Sequence, residues 1–183
     1  MKKENTPVIH TDRLTLRKFT FDDVDDMFLI YTDEEVNRFL PWFPFKSEDE
    51  TQNYLRENIF ADYEKDIAYR YAVVLKETRR VIGYVSINGI DPVKACGDLG
   101  YGLRKEFWNR GLITEASRAV LERLKSAGFR SVTATHDVNN PGSGRVMEKS
   151  GMSYRYSYDE LWQPKNFWVT FRLYQIDFGD TPG

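Results

Sequence analysis

The sequence predicts a mixed α/β fold around one central sheet. Three observations lead to this prediction: hydrophobic alternation in several segments, helical spacing of apolar residues between them, and two strand–helix crossings near the middle. Such crossings imply that the strands they join pair in parallel. A chain of 183 residues, 41% hydrophobic and 30% charged, is sufficient for one domain with its own core. We expect about six to seven strands and about four flanking helices.

The first third of the chain contains one predicted strand and up to three helices. Residues 8–19 (VIHTDRLTLRKF) alternate as a strand, and a helix with acidic residues in its first turn follows Thr20. A second short helix could begin at Asp33. Ser47 and Glu50 form a Ser-x-x-Glu capping box, which indicates a further helix to about residue 61.

The rest of the chain alternates between strands and helices. Residues 69–76 and 80–89 predict a hairpin, and residues 98–104 predict a strand whose two glycines favour a bulge. The remaining predicted elements are a helix from Leu112 to a stop at Gly128, a strand over 129–136, a helix opened by Asn140-Pro141 and closed by Gly151, and strands over 153–162 and 167–177.

Composition narrows the classes of function. A net charge of −2 argues against a nucleic-acid surface as the main partner. Cys96 is the single cysteine, which excludes an internal disulfide, and His10 with His136 gives no convincing zinc set, so no metal is expected. The N-terminal MKKENTPVIH lacks an apolar run, so we expect no signal peptide, no membrane partner and a cytoplasmic location.

The expected domain organisation is simple. No linker, repeat or low-complexity segment divides the chain. We expect residues 1–7 to be a flexible tail, residues 8–178 to be the single domain, and residues 179–183 to be a C-terminal tail.

The stretch FWNRGLITEA, residues 107–116, places Trp-Asn-Arg-Gly directly before a helix. One interpretation is a plain strand-to-helix turn, in which Gly111 supplies a positive φ. The other is an anion site, because main-chain N–H groups and the positive end of the helix dipole meet there. The fragment alone leaves both open.

Three segments together resemble the GCN5-related N-acetyltransferase (GNAT) superfamily: DLGYGL, EFWNRGLITEA and DVNNPGSGRVMEKSGM. The opening TDRLTLRKFTFDDVDDMFLIYTDEEVNRFLPW is similar to the branch that acetylates ribosomal-protein N-termini, the Rim-type branch. The resemblance covers nearly the whole chain. It implies a twisted sheet with a splayed parallel pair, acetyl-CoA as cosubstrate and a primary amine as acceptor.

The resemblance also implies which residues contact the coenzyme. The pyrophosphate would lie over the turn at residues 109–114, and the pantetheine arm would pair with the backbone of residues 101–103. The full implied set is Tyr101, Gly102, Leu103, Trp108, Asn109, Arg110, Gly111, Leu112, Ile113, Thr114, Asn140 and Ser143.

Two positions depart from the family pattern. Ile113 stands where the family usually has glycine or alanine, and its helical spacing with Ala116 and Val120 predicts that its side chain points into the core. Gly102 stands where the Rim-type branch often has an aromatic residue, and we expect it to widen the acceptor cleft.

Acetyl transfer needs a neutral amine and a proton for the departing thiolate. An α-amino group with a pKa near 8 needs only a weak base, whereas a lysine near 10.4 needs a strong one, and no strong base is evident. We expect Ser143 to act as the acid and Asp98 or His136 to relay the amine proton. The alternatives are a first-turn helix serine, a solvated turn aspartate and a buried histidine.

The acceptor is expected near FLPWFPF, residues 39–45, at Trp42, Phe43 and Phe45, although such a cluster could equally be plain core. The predicted function is acetylation of the N-terminal α-amine of a protein, possibly ribosomal. The alternatives are acetylation of a small amine, such as a polyamine, amino sugar or amino acid, and non-catalytic binding of acyl-CoA. The chain is expected to be a monomer or homodimer.

Overall fold

The computed structural model describes residues 1–179. Its strands are β1 (Ile9–His10), β2 (Leu14–Arg17), β3 (Tyr69–Leu75), β4 (Val81–Asp91), β5 (Cys96–Leu103), β6 (Ser131–Asp137), β7 (Ser153–Trp162) and β8 (Phe167–Asp177). They form one sheet in the order β1-β2-β3-β4-β5-β6-β8-β7. Every neighbouring pair is antiparallel except β5 with β6. The predicted mixed α/β fold with one parallel pair is confirmed.

The helices are α1 (Val24–Tyr31), α2 (Glu48–Tyr54), α3 (Ala61–Tyr63), α4 (Leu112–Ser126) and α5 (Pro141–Lys149). A π-helical segment, Leu55–Phe60, joins α2 to α3, so the two form one continuous helical stretch. Ser47 caps α2 by accepting a hydrogen bond from the main-chain N–H of Glu50, as the capping box predicts. Within residues 1–179, every helix is too short or too polar to span a lipid bilayer.

The sheet is larger than expected because residues 8–19 form two strands instead of one. A tight turn at residues 11–13 folds β1 back on β2. The hydroxyl of Thr11 donates to the carboxylate of Glu115 at 2.6 Å. This contact spans 104 residues of the chain. Within the turn, the N–H of Thr11 donates to the main-chain oxygen of Leu14, and the N–H of Leu14 donates to the Thr11 hydroxyl, so the break also has a local cause.

The helix proposed at Asp33 is also wrong. Residues 34–39 form consecutive turns, organised by the fully buried Asn37. Its side-chain amide donates to the main-chain oxygens of Ile30 and Asp33. A side chain that binds main-chain carbonyls competes with continued helix.

Helices cover both faces of the sheet. Alternate residues of β3 point in opposite directions, as strand geometry requires. Tyr71 and Val73 join the core under α4, whereas Ala72 and Val74 join a second core under α1 and α2. We call the face under α4 and α5 the helix-α4 face and the opposite one the helix-α1 face.

Residues 1–7 lie against the domain. The N–H of Thr6 donates to the main-chain oxygen of Ala68, and Thr6 is buried. Glu4 forms an ion pair with Arg123. At the other end, Gly179 is described, and residues 180–183 of the expected C-terminal tail lie outside the described part of the chain.

Candidate active site

Strands β5 and β6 begin side by side and then separate. Their parallel pairing covers only residues 96–98 of β5 and 131–133 of β6, although β5 continues to Leu103 and β6 to Asp137. β5 stays paired with β4 as far as Leu103. Beyond Asp98, the edge of β5 that faces β6 therefore carries main-chain N–H and C=O groups without a strand partner. The predicted splayed parallel pair is confirmed.

A continuous cleft of about 950 Å³ opens from this wedge. One wall comes from β5, the start of α4 and the start of α5. The other wall comes from α1, α2 and residues 35–42, on the helix-α1 face. The cleft thus joins the predicted coenzyme residues to the predicted acceptor region, and the splay connects the two faces of the sheet.

The turn before α4 is held in a geometry that exposes main-chain N–H groups. Asn109 and Gly111 both adopt left-handed conformations, with φ of 59° and 72°. Trp108 fixes the turn to the end of β5, because its Nε1 donates to the main-chain oxygen of Leu103 at 2.8 Å. The first N–H groups of α4 then lie at the positive end of a 15-residue helix, a favourable place for an anion.

Arg110 is the exception among the predicted turn residues. Its guanidinium lies over the ring of Phe107, 5.5 Å from the ring centroid, and its side chain does not line the cleft. Its main-chain oxygen accepts a hydrogen bond from Arg13. An anion in the turn would therefore meet main-chain N–H groups more directly than the Arg110 charge.

Ile113, which departs from the family pattern at this turn, has the predicted orientation. Ile113 is 9% exposed and packs in the core with Ala116 and Val120. Leu112 is buried in the same cluster. Both residues also line the cleft, as does Thr114.

At the start of α5, Asn140 and Ser143 form a cap that is tied to β5. The Oδ1 atom of Asn140 accepts a hydrogen bond from the N–H of Ser143 at 3.3 Å. The Tyr101 hydroxyl lies 2.9 Å from the Ser143 Oγ. Burial raises the pKa of Tyr101, and the hydrogen bond to Ser143 only partly opposes this. Tyr101 is therefore a protonated donor at neutral pH; the sequence indicated its backbone but not this role.

Asp98 lies at the apex of the wedge, on the helix-α1 face. Its carboxylate accepts a hydrogen bond from the Thr133 hydroxyl at 2.8 Å. Burial raises the pKa of Asp98, and the bond from Thr133 opposes the shift. No cation pairs with this carboxylate within residues 1–179. Asp98 lines the cleft and is more basic than an ordinary aspartate.

His136 lies on the other face of the sheet, beneath α5. It is 4% exposed, and its Nδ1 lies 2.8 Å from the main-chain oxygen of Asp137. Its Nε2 packs against Gly144, where an added Cβ would come within 2.7 Å of that nitrogen. Since Asp98 pairs with Thr133 and side chains alternate along β6, the sheet separates His136 from Asp98. This position favours a packing role over a relay with Asp98.

The three predicted acceptor residues have different surroundings. Trp42 lines the cleft, and its Nε1 donates to the Oδ1 of Asn37 at 3.0 Å. Phe45 stacks on Tyr31 with ring centroids 4.8 Å apart, within the core beneath α1. Phe43 is 58% exposed. Of the three, only Trp42 has a side chain that faces the cleft.

The expectation that Gly102 widens the cleft is wrong. Tyr84 lies directly across from Gly102 on β4, and an added Cβ at Gly102 would come within 2.4 Å of its ring. Tyr84 stacks on Tyr31 with centroids 5.9 Å apart, and both rings line the cleft beside Tyr54. An aromatic wall is present, but β4 provides it instead of β5.

No three His, Cys, Asp or Glu side chains converge as candidate metal ligands in the described part of the chain. The groups that line the cleft include carboxylates, guanidinium groups, hydroxyls, main-chain N–H groups and aromatic rings. They suit binding, orientation and proton transfer.

Comparison with known proteins supports the motif-based resemblance. Residues 13–153 match the model of the acetyltransferase (GNAT) domain family. The chain is 30% identical over 124 residues to the uncharacterized N-acetyltransferase p20 of Bacillus licheniformis, covering 68% of this chain and 67% of that protein. It is 27% identical over 114 residues to the ribosomal-protein-serine acetyltransferase of Escherichia coli K12, covering 61% and 62%.

A solved structure shows the same fold. RimL, a ribosomal L7/L12 α-N-protein acetyltransferase in complex with coenzyme A, superposes with a TM-score of 0.82 at 19% identity. The match covers 93% of this chain and 98% of that one. The chain therefore belongs to the GNAT acetyltransferase family and is an acyltransferase with Rim-type proteins among its relatives.

Proposed function

We propose that the protein transfers an acetyl group from acetyl-CoA to the N-terminal α-amine of a peptide or protein. The observation behind this proposal is the placement of Asp98 and the Tyr101–Ser143 pair around one cleft. A basic carboxylate lies on the acceptor side, and a protonated hydroxyl pair lies on the helix-α4 side. Transfer to an amine needs both functions.

The residues at the wedge fit acetyl-CoA. The free edge of β5 offers main-chain donors and acceptors along residues 99–103, as an added strand would require. The turn at Asn109–Gly111 offers N–H groups and the helix dipole to a diphosphate. RimL, which has the same fold, was solved with coenzyme A.

The proposed reaction uses two proton transfers. The amine nitrogen attacks the thioester carbonyl carbon, and Asp98 takes the proton that the amine loses, directly or through water. The carbon–sulfur bond then breaks, and the Ser143 hydroxyl gives its proton to the departing thiolate. Tyr101 lies close enough to replace that proton. Each transfer of this kind contributes about 10²–10⁴ in rate.

The available base favours an α-amine over lysine. About a tenth of an α-amino group with a pKa near 8 is already neutral at pH 7, whereas neutralising lysine costs about 4–5 kcal/mol. A carboxylate with a raised pKa remains a weak base, so it suits an α-amine better than a lysine. Rim-type relatives named for α-N or ribosomal-protein acetylation point in the same direction.

A small amine is the second candidate, and one contact favours it. The Lys165 ammonium, on the turn between β7 and β8, donates to the main-chain oxygens of Asn37 at 3.1 Å and Arg38 at 3.4 Å. This contact ties the β7–β8 turn to the loop that carries Trp42. A β7–β8 turn held against this loop would obstruct a folded protein more than a small acceptor.

Release of the coenzyme thiol from acetyl-CoA tests both candidates. One peptide should carry a free α-amine and no lysine, and a matched peptide should have a blocked N-terminus and one lysine. Spermidine and glucosamine represent small amines. We expect turnover with the first peptide only. Turnover confined to spermidine or glucosamine would support the second candidate, and thiol release from none of them would contradict both.

A further inference from the structure

The floor of the cleft carries a cation that the proposed reaction does not use. Arg70 on β3 lies directly opposite Ser86 on β4, and Ser86 lies opposite Gly100 on β5. Residues paired in this way share one face of a sheet. Since Arg70 lines the cleft, this row crosses its floor on the helix-α1 face.

The guanidinium of Arg70 is only partly satisfied within the protein. Its Nε donates to Asp62 at 2.5 Å, but its terminal nitrogens make no hydrogen bond within residues 1–179. The side chain is 25% exposed. Burial raises the pKa of Tyr31 and Tyr84 in the cleft wall, and the charge of Arg70 opposes this shift.

Asp62 does not cancel the positive charge at this position. The same carboxylate also pairs with Lys65 at 2.5 Å. Burial alone would raise the pKa of Asp62, but the hydrogen bonds and charges of Lys65 and Arg70 hold it below its usual range. The cluster of two cations and one anion keeps a net positive charge, and only Arg70 among them lines the cleft.

Opposite charges therefore lie at two ends of one polar floor. Asp98 is in the next row, opposite Asn88, with Ser86 between the two charges. The polar atoms of Ser86 and Asn88 lie over Gly100, since an added Cβ there would come within 3.2 Å of the Ser86 Oγ and 3.1 Å of the Asn88 Nδ2. Two strand spacings and a two-residue offset place the Cα atoms of Arg70 and Asp98 roughly 12 Å apart.

We infer that the acceptor carries a carboxylate as well as its amine, with the amine at Asp98 and the carboxylate at Arg70. This inference rests on the proposed function and names the class of acceptor within it. An arginine with two free terminal nitrogens matches a carboxylate in a bidentate arrangement. The separation of the two charges favours acceptors with several bonds between amine and acid, such as a peptide with an acidic second residue.

Isosteric acceptors test the inference on the unmodified protein. Ser-Glu and Ser-Gln peptides with amidated C-termini have the same α-amine and differ only in one side-chain charge. The pair γ-aminobutyrate and 4-aminobutanamide does the same for a small acceptor. We expect kcat/KM to be roughly tenfold or more higher for the acid of a pair. The pair that shows this preference tells whether the carboxylate comes from a peptide or a small molecule.

Variants then assign the preference to one residue. Arg70→Met should reduce the acid-to-amide ratio of kcat/KM to near one, mainly through KM, and Arg70→Lys should keep part of it. Lys3→Met is the control, since it removes an exposed cation that pairs with Asp66 and leaves Asp62 and the cleft unchanged, and it should keep the wild-type ratio. If an Arg70 variant does not fold, the ratio of kcat/KM for acid and amide acceptors in the wild-type protein still tests whether the acceptor carries a carboxylate.

The outcomes separate this inference from the proposed function. Equal kcat/KM for acid and amide in wild-type protein would overturn the inference and leave the proposed function in place. A preference that survives Arg70→Met would also overturn it. Failure of every amine, charged or neutral, would instead contradict the proposed function.

Discussion

The hydroxyl oxygen of Tyr101 lies 2.9 Å from two oxygens of Ser143, the side-chain Oγ and the main-chain carbonyl. The phenol has one proton and two possible acceptors. When it donates to Oγ, the serine hydroxyl hydrogen is free to point into the cleft. The pair can thus hold a donor at the wedge and supply it with a second proton.

Replacing either member of this pair should slow turnover without preventing coenzyme binding. We expect Ser143→Ala and Tyr101→Phe each to lower kcat about tenfold to hundredfold, with little change in KM for acetyl-CoA. The double variant should lose less than the product of the two, because the residues act as a unit. Steady-state kinetics of the four proteins measures this. Ser126→Ala, at an exposed position in α4, is the matched control, and additive losses would contradict the shared role.

Asp98→Asn should remove the base and leave the fold intact. We expect a loss in kcat of about a hundredfold at pH 7. In the wild type, rate should rise with pH as the Asp98 carboxyl and the acceptor amine lose their protons. Asp91→Asn changes a half-buried carboxylate at the end of neighbouring β4 and should retain full rate. His136 packs under α5, so His136→Phe should keep kcat within about threefold of the wild type. A loss as large as that of Asp98→Asn would instead indicate that His136 is the general base.

Asp98→Asn should also raise the thermal stability of the protein. Burial raises the pKa of Asp98, so the folded state binds this proton more tightly than the unfolded chain does. The contribution of Asp98 to the free energy of unfolding is therefore fully present in acid and is lost as pH rises through the folded pKa. Asparagine cannot ionise, and Tm of Asp98→Asn should exceed that of the wild type at pH 7. Calorimetry across pH measures this, and a lower Tm at pH 7 would contradict the cost of burying the charge.

Coenzyme affinity should depend more on the conformation of the turn than on Arg110. We expect Arg110→Ala to weaken acetyl-CoA binding by less than about fivefold, since an exposed charge contributes about 0–1 kcal/mol. Gly111→Ala should weaken it more, because alanine at φ of 72° costs roughly 1–2 kcal/mol. Calorimetric titration of the wild type, Arg110→Ala and Gly111→Ala with acetyl-CoA and dephospho-CoA measures the affinity of each protein. A larger loss in Arg110→Ala would mean that this side chain leaves Phe107 to bind the phosphates.

The three aromatic residues of FLPWFPF should separate into three behaviours. Trp42→Ala should raise the acceptor KM with little effect on the acetyl-CoA KM, because its ring lines the acceptor part of the cleft. Phe45→Ala should lower the free energy of unfolding by about 2 kcal/mol, because its ring stacks on Tyr31. Phe43→Ala should change neither. Kinetics and urea unfolding of the three variants test this together, and similar effects in all three would contradict it.

Local patterns predicted most of the fold because most elements follow local rules. The capping box at Ser47, the Asn140 cap and the alternation of β3 depend on residues within one turn or strand. The break in residues 8–19 is held by hydrogen bonds between Thr11 and Leu14 as well as by Glu115, and the Asp33 helix is replaced by turns that Asn37 holds. The contact with Glu115 spans 104 residues and leaves no local trace. The bonds within the turns are local, but hydrophobic alternation and helical spacing do not report them.

The candidate site divides in a similar way. The turn at residues 107–116, Ser143 and Asp98 lie where the motifs indicate. Tyr84 and Arg70 were missed because their place in the cleft depends on the pairing of β3, β4 and β5. Register sets which side chains meet across strands, and it could not be known before the strands were aligned.

The contact between Tyr84 and Gly102 means that the width of the acceptor cleft is a property of two strands together. One aromatic ring fits in this space, and either strand can supply it: a ring on β4 requires glycine on β5. A single substitution at either position would overfill the space or empty it, so a change of acceptor size needs paired changes at both. The width of the cleft at this point is thus set by a shared volume, which neither residue determines alone.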